Sequence, residues 1–242
     1  MKYPNKFIIA NWKTNPQTIA EARELIKIGS NLGDKVAHYA VPAPFLGILG
    51  VEFSPVIGSQ TVSGLEGGAE TGLFTASQVK ETGATFTLVG HSEDRKRGAT
   101  DAYVNSAIKS SLKQSLYTCL CVGEDMAESF ESEVATQLDK NLNGLETELK
   151  DNKIMFAYEP IWAIGANAKR AATMDEIIEK MSWMQNYLQN NFGIERAYIL
   201  YGGSVDIDNI ESILQLDCCD GVLIGRASAD REKWQKIVDV LK

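Results

Sequence analysis

Seven short polar clusters interrupt an otherwise apolar rhythm along the chain: Asn11-Trp12-Lys13, Ser59-Gln60, His91-Ser92-Glu93, Gly123-Glu124, Glu159-Pro160, Gly202-Gly203-Ser204 and Gly225-Arg226. Taken singly, each has an ordinary reading. Lys13 alone is a solvated lysine, Glu159 a salt-bridged carboxylate, and His91 a satisfied structural histidine. Together they supply a base, an electrophile, a cation and glycine-rich turns. Such a set can do acid–base chemistry, which asks for a desolvated base and for donors placed in advance where negative charge develops. The glycine-rich turns offer backbone N–H groups to an anion, which points to a phosphorylated substrate without identifying the reaction.

Each cluster follows a short apolar run. Eight such runs recur: Phe7–Ala10, Val36–Val41, Val56–Gly58, Phe86–Val89, Tyr117–Val122, Ile154–Tyr158, Ala197–Tyr201 and Val222–Ile224. They are nearly continuous in apolar character, as strands buried on both faces should be. Helical patterns lie between them. Thr18–Ser30 carries Ile19, Ala22, Leu25, Ile26 and Ile28 on one stripe. Ala127–Lys150 and Met174–Asn191 read the same way, the latter opening at a cap, Thr173, with Glu176 three residues on. Shorter helices are expected at Ala76–Glu81, Asp101–Gln114, Asp206–Leu214 and Arg231–Leu241. Alternating strands and helices imply right-handed crossovers and a parallel sheet. Eight repeats predict an α/β protein that is a single (β/α)8 barrel over residues 1–242, and strand count argues against a doubly wound sheet. In such a barrel the site lies at the C-terminal strand ends, where the polar clusters fall, and the last two strands commonly bear the phosphate site. A short helix is expected to begin at His91-Ser92-Glu93, with Ser92 near its cap, so that the helix N-terminus keeps His91 neutral. His38, inside the second strand, is read as structural.

Composition narrows the function classes. The chain has 242 residues, 44% hydrophobic and 23% charged, with a formal net charge of -8 and no Lys/Arg block. Nucleic acid is therefore not an expected partner. A small anion would need a local positive site, because the global field has the wrong sign. The opening run Phe7–Ala10 is too short for a signal peptide, and no stretch approaches the ~18 apolar residues of a membrane span. The expectation is a cytoplasmic protein with no membrane partner. Cys119 and Cys121 are expected on opposite faces of a strand, and Cys218 and Cys219 are adjacent; neither pair has zinc spacing. Reduced, mostly buried thiols follow, with no metal and no cofactor expected.

The polar clusters also resemble a known family. Asn11-Trp12-Lys13-Thr14-Asn15, Gly90-His91-Ser92-Glu93, Cys121-Val122-Gly123-Glu124, the segment Ala157-Tyr158-Glu159-Pro160-Ile161-Trp162-Ala163-Ile164-Gly165 and Tyr201-Gly202-Gly203-Ser204-Val205 are similar to the signature segments of the triosephosphate isomerases. They occur in the family's order, and the resemblance spans Phe7 to Ser228. It implies a TIM barrel that interconverts dihydroxyacetone phosphate and D-glyceraldehyde 3-phosphate. Glu159 would be the base, and His91 a neutral electrophile, roles already described for this family. Lys13 would supply charge to the enediolate, Asn11 would orient the substrate, and Glu93 would tune Lys13. Gly165, Ser204, Gly225 and Arg226 would meet the substrate phosphate. Pro160 to Lys169 resembles the family's closing lid, with Pro160-Ile161-Trp162 as its first hinge. Gly68-Ala69-Glu70-Thr71-Gly72 resembles the loop with which one subunit caps its neighbour, so a homodimer with Thr71 at the contact is implied.

Four features depart from the family pattern. The segment Ala166–Ala171 makes the lid about two residues longer, an extension of small entropic cost. Arg226 replaces a second glycine beside Gly225, and strain there with altered phosphate binding is expected if that position needs a positive φ. Asp94 stands where a basic residue is common and predicts a rearranged ion-pair network. Glu70 and Leu73 depart from the usual loop residues. The rival readings are a barrel acting on a larger sugar phosphate and a non-catalytic phosphate-binding homologue.

Overall fold

The computed structural model describes residues 6–33, 35–54, 56–151, 153–164 and 170–242. Eight strands run parallel: β1 (Phe7–Asn11), β2 (Ala37–Val41), β3 (Ile57–Ser59), β4 (Phe86–Val89), β5 (Tyr117–Val122), β6 (Ile154–Tyr158), β7 (Tyr198–Tyr201) and β8 (Gly221–Ile224). They close in chain order, β8 pairing with β1 through Phe7 opposite Gly221. The α/β class and the closed (β/α)8 barrel expected from the sequence are those of the structure.

Strand alternation sorts the core into two shells. Ile9, Ala40, Phe86, Leu88, Cys119, Cys121, Ala157, Leu200 and Leu223 pack together inside the barrel. Their neighbours Ile8, Ala10, Tyr39, Val89, Leu120, Phe156, Tyr158 and Ile224 pack outward among the helices. Side chains two apart share a face. Cys119 and Cys121 therefore both point inward, correcting the expectation of opposite faces; both are buried and free.

The helices are α1 (Ile19–Gly29), α2 (Ala43–Phe53), α3 (Ala76–Glu81), α4 (Ser92–Lys96), α5 (Asp101–Lys113), α6 (Phe130–Leu142), α7 (Met174–Phe192), α8 (Ile210–Leu214), α9 (Arg226–Ala229) and α10 (Arg231–Leu241). Capping boxes start three of them, Thr18 with Glu21, Thr75 with Gln78, and Thr173 with Glu176. Each box satisfies two orphan backbone donors locally, which is why these starts are readable from sequence.

Other expectations need correction. The long helix read over Ala127–Lys150 is a short 3-10 turn at Ala127–Ser129, then α6, then a second turn at Glu148–Asp151. Gly144, with φ of +70°, ends it. Only the last turn of Asp206–Leu214 is helical, because side chains capture the backbone before it: Asp206 N–H donates to Asn209 Oδ1 and Asp208 N–H to Asp206 Oδ1, both at 3.0 Å. α2 and α9 have no counterpart among the expected helices. No helix among the described residues is long and apolar enough to cross a membrane.

Candidate active site

Strand parity delivers the first two polar groups. Asn11 lies two residues beyond inward-facing Ile9, and Glu159 two beyond inward-facing Ala157, so both enter the barrel mouth. Both are buried. Lys13 follows in a left-handed conformation with φ of +56°, strained for a non-glycine residue. Two bonds impose it: Lys13 N–H donates to Asn11 Oδ1 at 3.2 Å, and Gln60 Nε2 donates to the Lys13 carbonyl at 2.7 Å. Its ammonium is 2.7 Å from Glu93 Oε1. Burial raises the Glu93 pKa, but the Lys13 hydrogen bond and charge outweigh it and hold the carboxyl below its ordinary value.

His91 enters from the turn after β4. It is itself the N-cap of α4, where Ser92 was expected: its Nδ1 accepts the Glu93 N–H at 3.1 Å. With Nδ1 accepting from a backbone amide, Nε2 is left as the ring's donor towards Glu159. The turn is braced from behind. Arg95 Nε donates to the Gly90 carbonyl at 2.8 Å, and its NH1 meets Asp101 Oδ1 at 2.6 Å. Asp94 accepts from Thr61 Oγ1 at 3.1 Å and from Arg97 at 3.0 Å.

Glu159 closes the constellation. One carboxylate oxygen accepts the Ser92 N–H at 2.9 Å, and the other lies 3.1 Å from His91 Nε2. One close approach fixes its backbone. A Cβ at Gly123 would come 1.8 Å from the Glu159 carbonyl oxygen. Gln137 holds that glycine on both sides, accepting its N–H at 3.1 Å and donating to its carbonyl at 2.7 Å. Ser92 N–H, Gln137 and the bracing role of Gln60 carry no sequence motif; their contacts span residues far apart in the chain.

Asn11, Lys13, His91, Glu93 and Glu159 line one cavity of about 750 Å³ together with Ser204, Gly225 and Arg226. Glu159 is thus buried against the His91 imidazole in a cavity also lined by the Lys13 cation and by Gly202, Gly203 and Gly225.

The model of the family described as triosephosphate isomerase matches residues 6–241. The chain belongs to the triosephosphate isomerase family. It is similar to the triosephosphate isomerase of Thermodesulfovibrio yellowstonii, with 34% identity over 247 residues covering 97% of this chain and 99% of the relative. That of Oleidesulfovibrio alaskensis is also 34% identical, over 96% of this chain and 98% of the relative. The crystal structure of triosephosphate isomerase from Bartonella henselae superposes with a TM-score of 0.83 at 30% identity, covering 98% of both chains.

Other predicted positions fall as follows. The Ser204 hydroxyl donates to the Ala163 carbonyl at 2.8 Å, so it ties the end of β7 to the 3-10 turn Ile161–Ala163 that follows Glu159. Arg226 lies in α9, outside the left-handed region, after Gly225 at φ -83°. The anticipated backbone strain is therefore absent there, and the exposed guanidinium faces the cavity. Thr71 is exposed on its loop and does not line the cavity. Gly165 and the lid residues Ala166–Lys169 lie outside the described residues. His38 packs edge-on against Phe86 with its pKa lowered by burial.

Glu124 belongs to a strand-end cluster but has the opposite parity to Glu159. It follows outward-facing Val122 and is fully buried behind the mouth. Its Oε1 accepts Tyr158 OH at 2.9 Å and Trp162 Nε1–H at 2.7 Å, while Oε2 has no partner among the described residues. Burial pushes its pKa up to about 7, against the lowering effect of those hydrogen bonds.

Proposed function

We propose that the protein interconverts dihydroxyacetone phosphate and D-glyceraldehyde 3-phosphate by proton transfer through an enediolate, with Glu159 as the base. The observation that carries this reading is the buried Glu159 carboxylate 3.1 Å from the Nε2 of an imidazole whose Nδ1 already accepts a backbone amide. Substrate oxygens compete for the Nε2 proton and so release Glu159 Oε1 towards the substrate carbon. Glu159 takes the proton from the carbon beside the carbonyl, and the electron pair moves onto the carbonyl oxygen. His91 Nε2–H and the Lys13 ammonium stabilise that oxyanion, placed before it forms. Asn11 has its side-chain oxygen committed to Lys13 N–H, which leaves its amide N–H groups for the substrate. Glu159 then returns the proton to the neighbouring carbon. No electron leaves the substrate, so the chemistry calls for no redox cofactor.

The substrate phosphate goes to the part of the cavity formed by Ser204, Gly225 and the backbone N–H of Arg226, with Gly165 of the lid as a further N–H donor. A dry site matters, because an enediolate phosphate exposed to water can expel its phosphate. A homodimer with Thr71 reaching the neighbouring subunit is part of the same proposal; Leu65 and Leu73, on the same loop, are 38% and 48% exposed.

Purified protein should turn over glyceraldehyde 3-phosphate in an assay coupled to reduction of the ketone. Glu159→Gln should lose about 10²–10⁴-fold in kcat, the range for removing a positioned acid–base group. Wild-type protein that is folded yet inert would return the chain to the non-catalytic reading.

A further inference from the structure

The cavity holds more positive charge than the isomerisation uses. Arg226 at the start of α9, and Lys233 and Lys236 on α10, line the same cavity as Glu159 and His91. All three are exposed, and none has an ion-pair partner among the described residues. Lys233 and Lys236 are three residues apart on one helix, so their side chains share a face. Lys13, by contrast, is already neutralised by Glu93 at 2.7 Å. The acids at this end, Asp206 and Asp208, come from the β7–α8 connection, where Asp206 Oδ1 is occupied by the Asp208 N–H. In a chain with a net charge of -8, unpaired cations gathered at one cavity mouth form a local anion field.

We propose that Arg226, Lys233 and Lys236 form a second anion subsite at the mouth of the catalytic cavity, so that the site takes small ligands bearing a phosphate at each end. The first phosphate occupies the Ser204–Gly225 end, and in this the proposal rests on the catalytic reading. The second lies beyond it against the Arg226 guanidinium, whose planar fork suits two phosphate oxygens. A three-carbon bisphosphate then competes with substrate, and the enzyme is held back wherever bisphosphorylated short-chain compounds accumulate.

Calorimetry on the purified full chain compares propane-1,3-diol bisphosphate with propyl phosphate, a pair differing in the second anion. The expected result is roughly tenfold or tighter binding of the bisphosphate, beyond the roughly twofold statistical advantage of a symmetric ligand. Arg226→Gly and Lys233→Gln/Lys236→Gln should each collapse the ratio of the two affinities. The lysines are exposed, so the second variant tests the subsite even where Arg226→Gly folds poorly. An affinity ratio near two in the wild type, or a high ratio untouched by both variants, overturns the proposal. Binding is read without turnover, and Glu159→Gln should keep the ratio. Wild-type protein that keeps the ratio but shows no turnover therefore counts against the catalytic reading, and an absent ratio in an active enzyme counts against the subsite alone.

Discussion

Two buried glutamates end adjacent strands of the barrel and live in opposite surroundings. Glu159 continues the inward parity of Ala157 into the mouth, where Ser92 N–H and His91 meet its oxygens. Glu124 continues the outward parity of Val122 into a buried site against Tyr158 and Trp162, with one oxygen unpartnered among the described residues and its pKa raised to about 7. The contrast teaches that a carboxylate with a perturbed pKa need not be the catalyst. Position relative to a cavity and to preset donors decides the role, and a one-residue step along a strand decides position. Glu124 instead serves the segment after Glu159: its main-chain carbonyl accepts the Ile161 N–H at 3.0 Å, while its side chain holds Trp162.

The comparison breaks most sharply at His91. Asparagine there keeps an acceptor suited to capping α4, yet withdraws the Nε2 proton donor. His91→Asn should lower kcat by about 10²–10³-fold, the cost of one oxyanion donor, with circular dichroism unchanged. An unaltered rate would mean that the imidazole is structural.

A second test moves Glu159 without touching its side chain. The methyl of Gly123→Ala would meet the Glu159 carbonyl oxygen at 1.8 Å, so the strand end must shift. A displacement of about an ångström at the base should cost ~100-fold in kcat. Steady-state kinetics on the folded variant, with KM little changed, would show that the glycine acts by positioning.

The smallest effect on rate is expected at Glu124. Glu124→Gln keeps an acceptor for Tyr158 and Trp162 and should change kcat by less than about tenfold. Its signature is stability. The folded-state pKa, about 7, lies above the ordinary 4.5, so the unfolded chain releases the proton first as pH rises. Wild-type stability should therefore fall between about pH 4.5 and 7, by at most about 3 kcal/mol, and level off above that. Below pH 4.5 both states are protonated and the penalty vanishes. Urea titrations across this window should show that slope in wild type and lose it in Glu124→Gln; equal slopes would place the penalty elsewhere.

Much of this was legible in the sequence, for identifiable reasons. Strands buried on both faces read as apolar runs, and the expected strands fall within one residue of those formed at each end. Helix starts at Thr18 and Thr173 were legible because a capping box is a local device. α2 was not, since Ala43–Phe53 is apolar almost throughout and Pro42 supplies no side-chain cap. The cysteine assignment failed on parity, the same rule that places Asn11 and Glu159 correctly. At the site, residue types and strand ends were legible. The Gln60 bond that holds Lys13 and the Ser92 amide on Glu159 were not, because each joins segments that meet only once the barrel closes. Arg226 was legible as a substitution but not as an unstrained, unpaired cation, which depends on the backbone it sits on.

The central claim is that Glu159 carries a proton between two carbons of the substrate. It is tested most directly by running the isomerisation of dihydroxyacetone phosphate in deuterium oxide and following carbon-bound deuterium by NMR. Wild type should place deuterium at the carbon that receives the proton, because a carboxylic acid exchanges with solvent during the lifetime of the intermediate. Glu159→Gln should do so at least about 10²-fold more slowly. Isomerisation with no deuterium entering product or recovered substrate, or exchange at an undiminished rate in Glu159→Gln, would contradict the account.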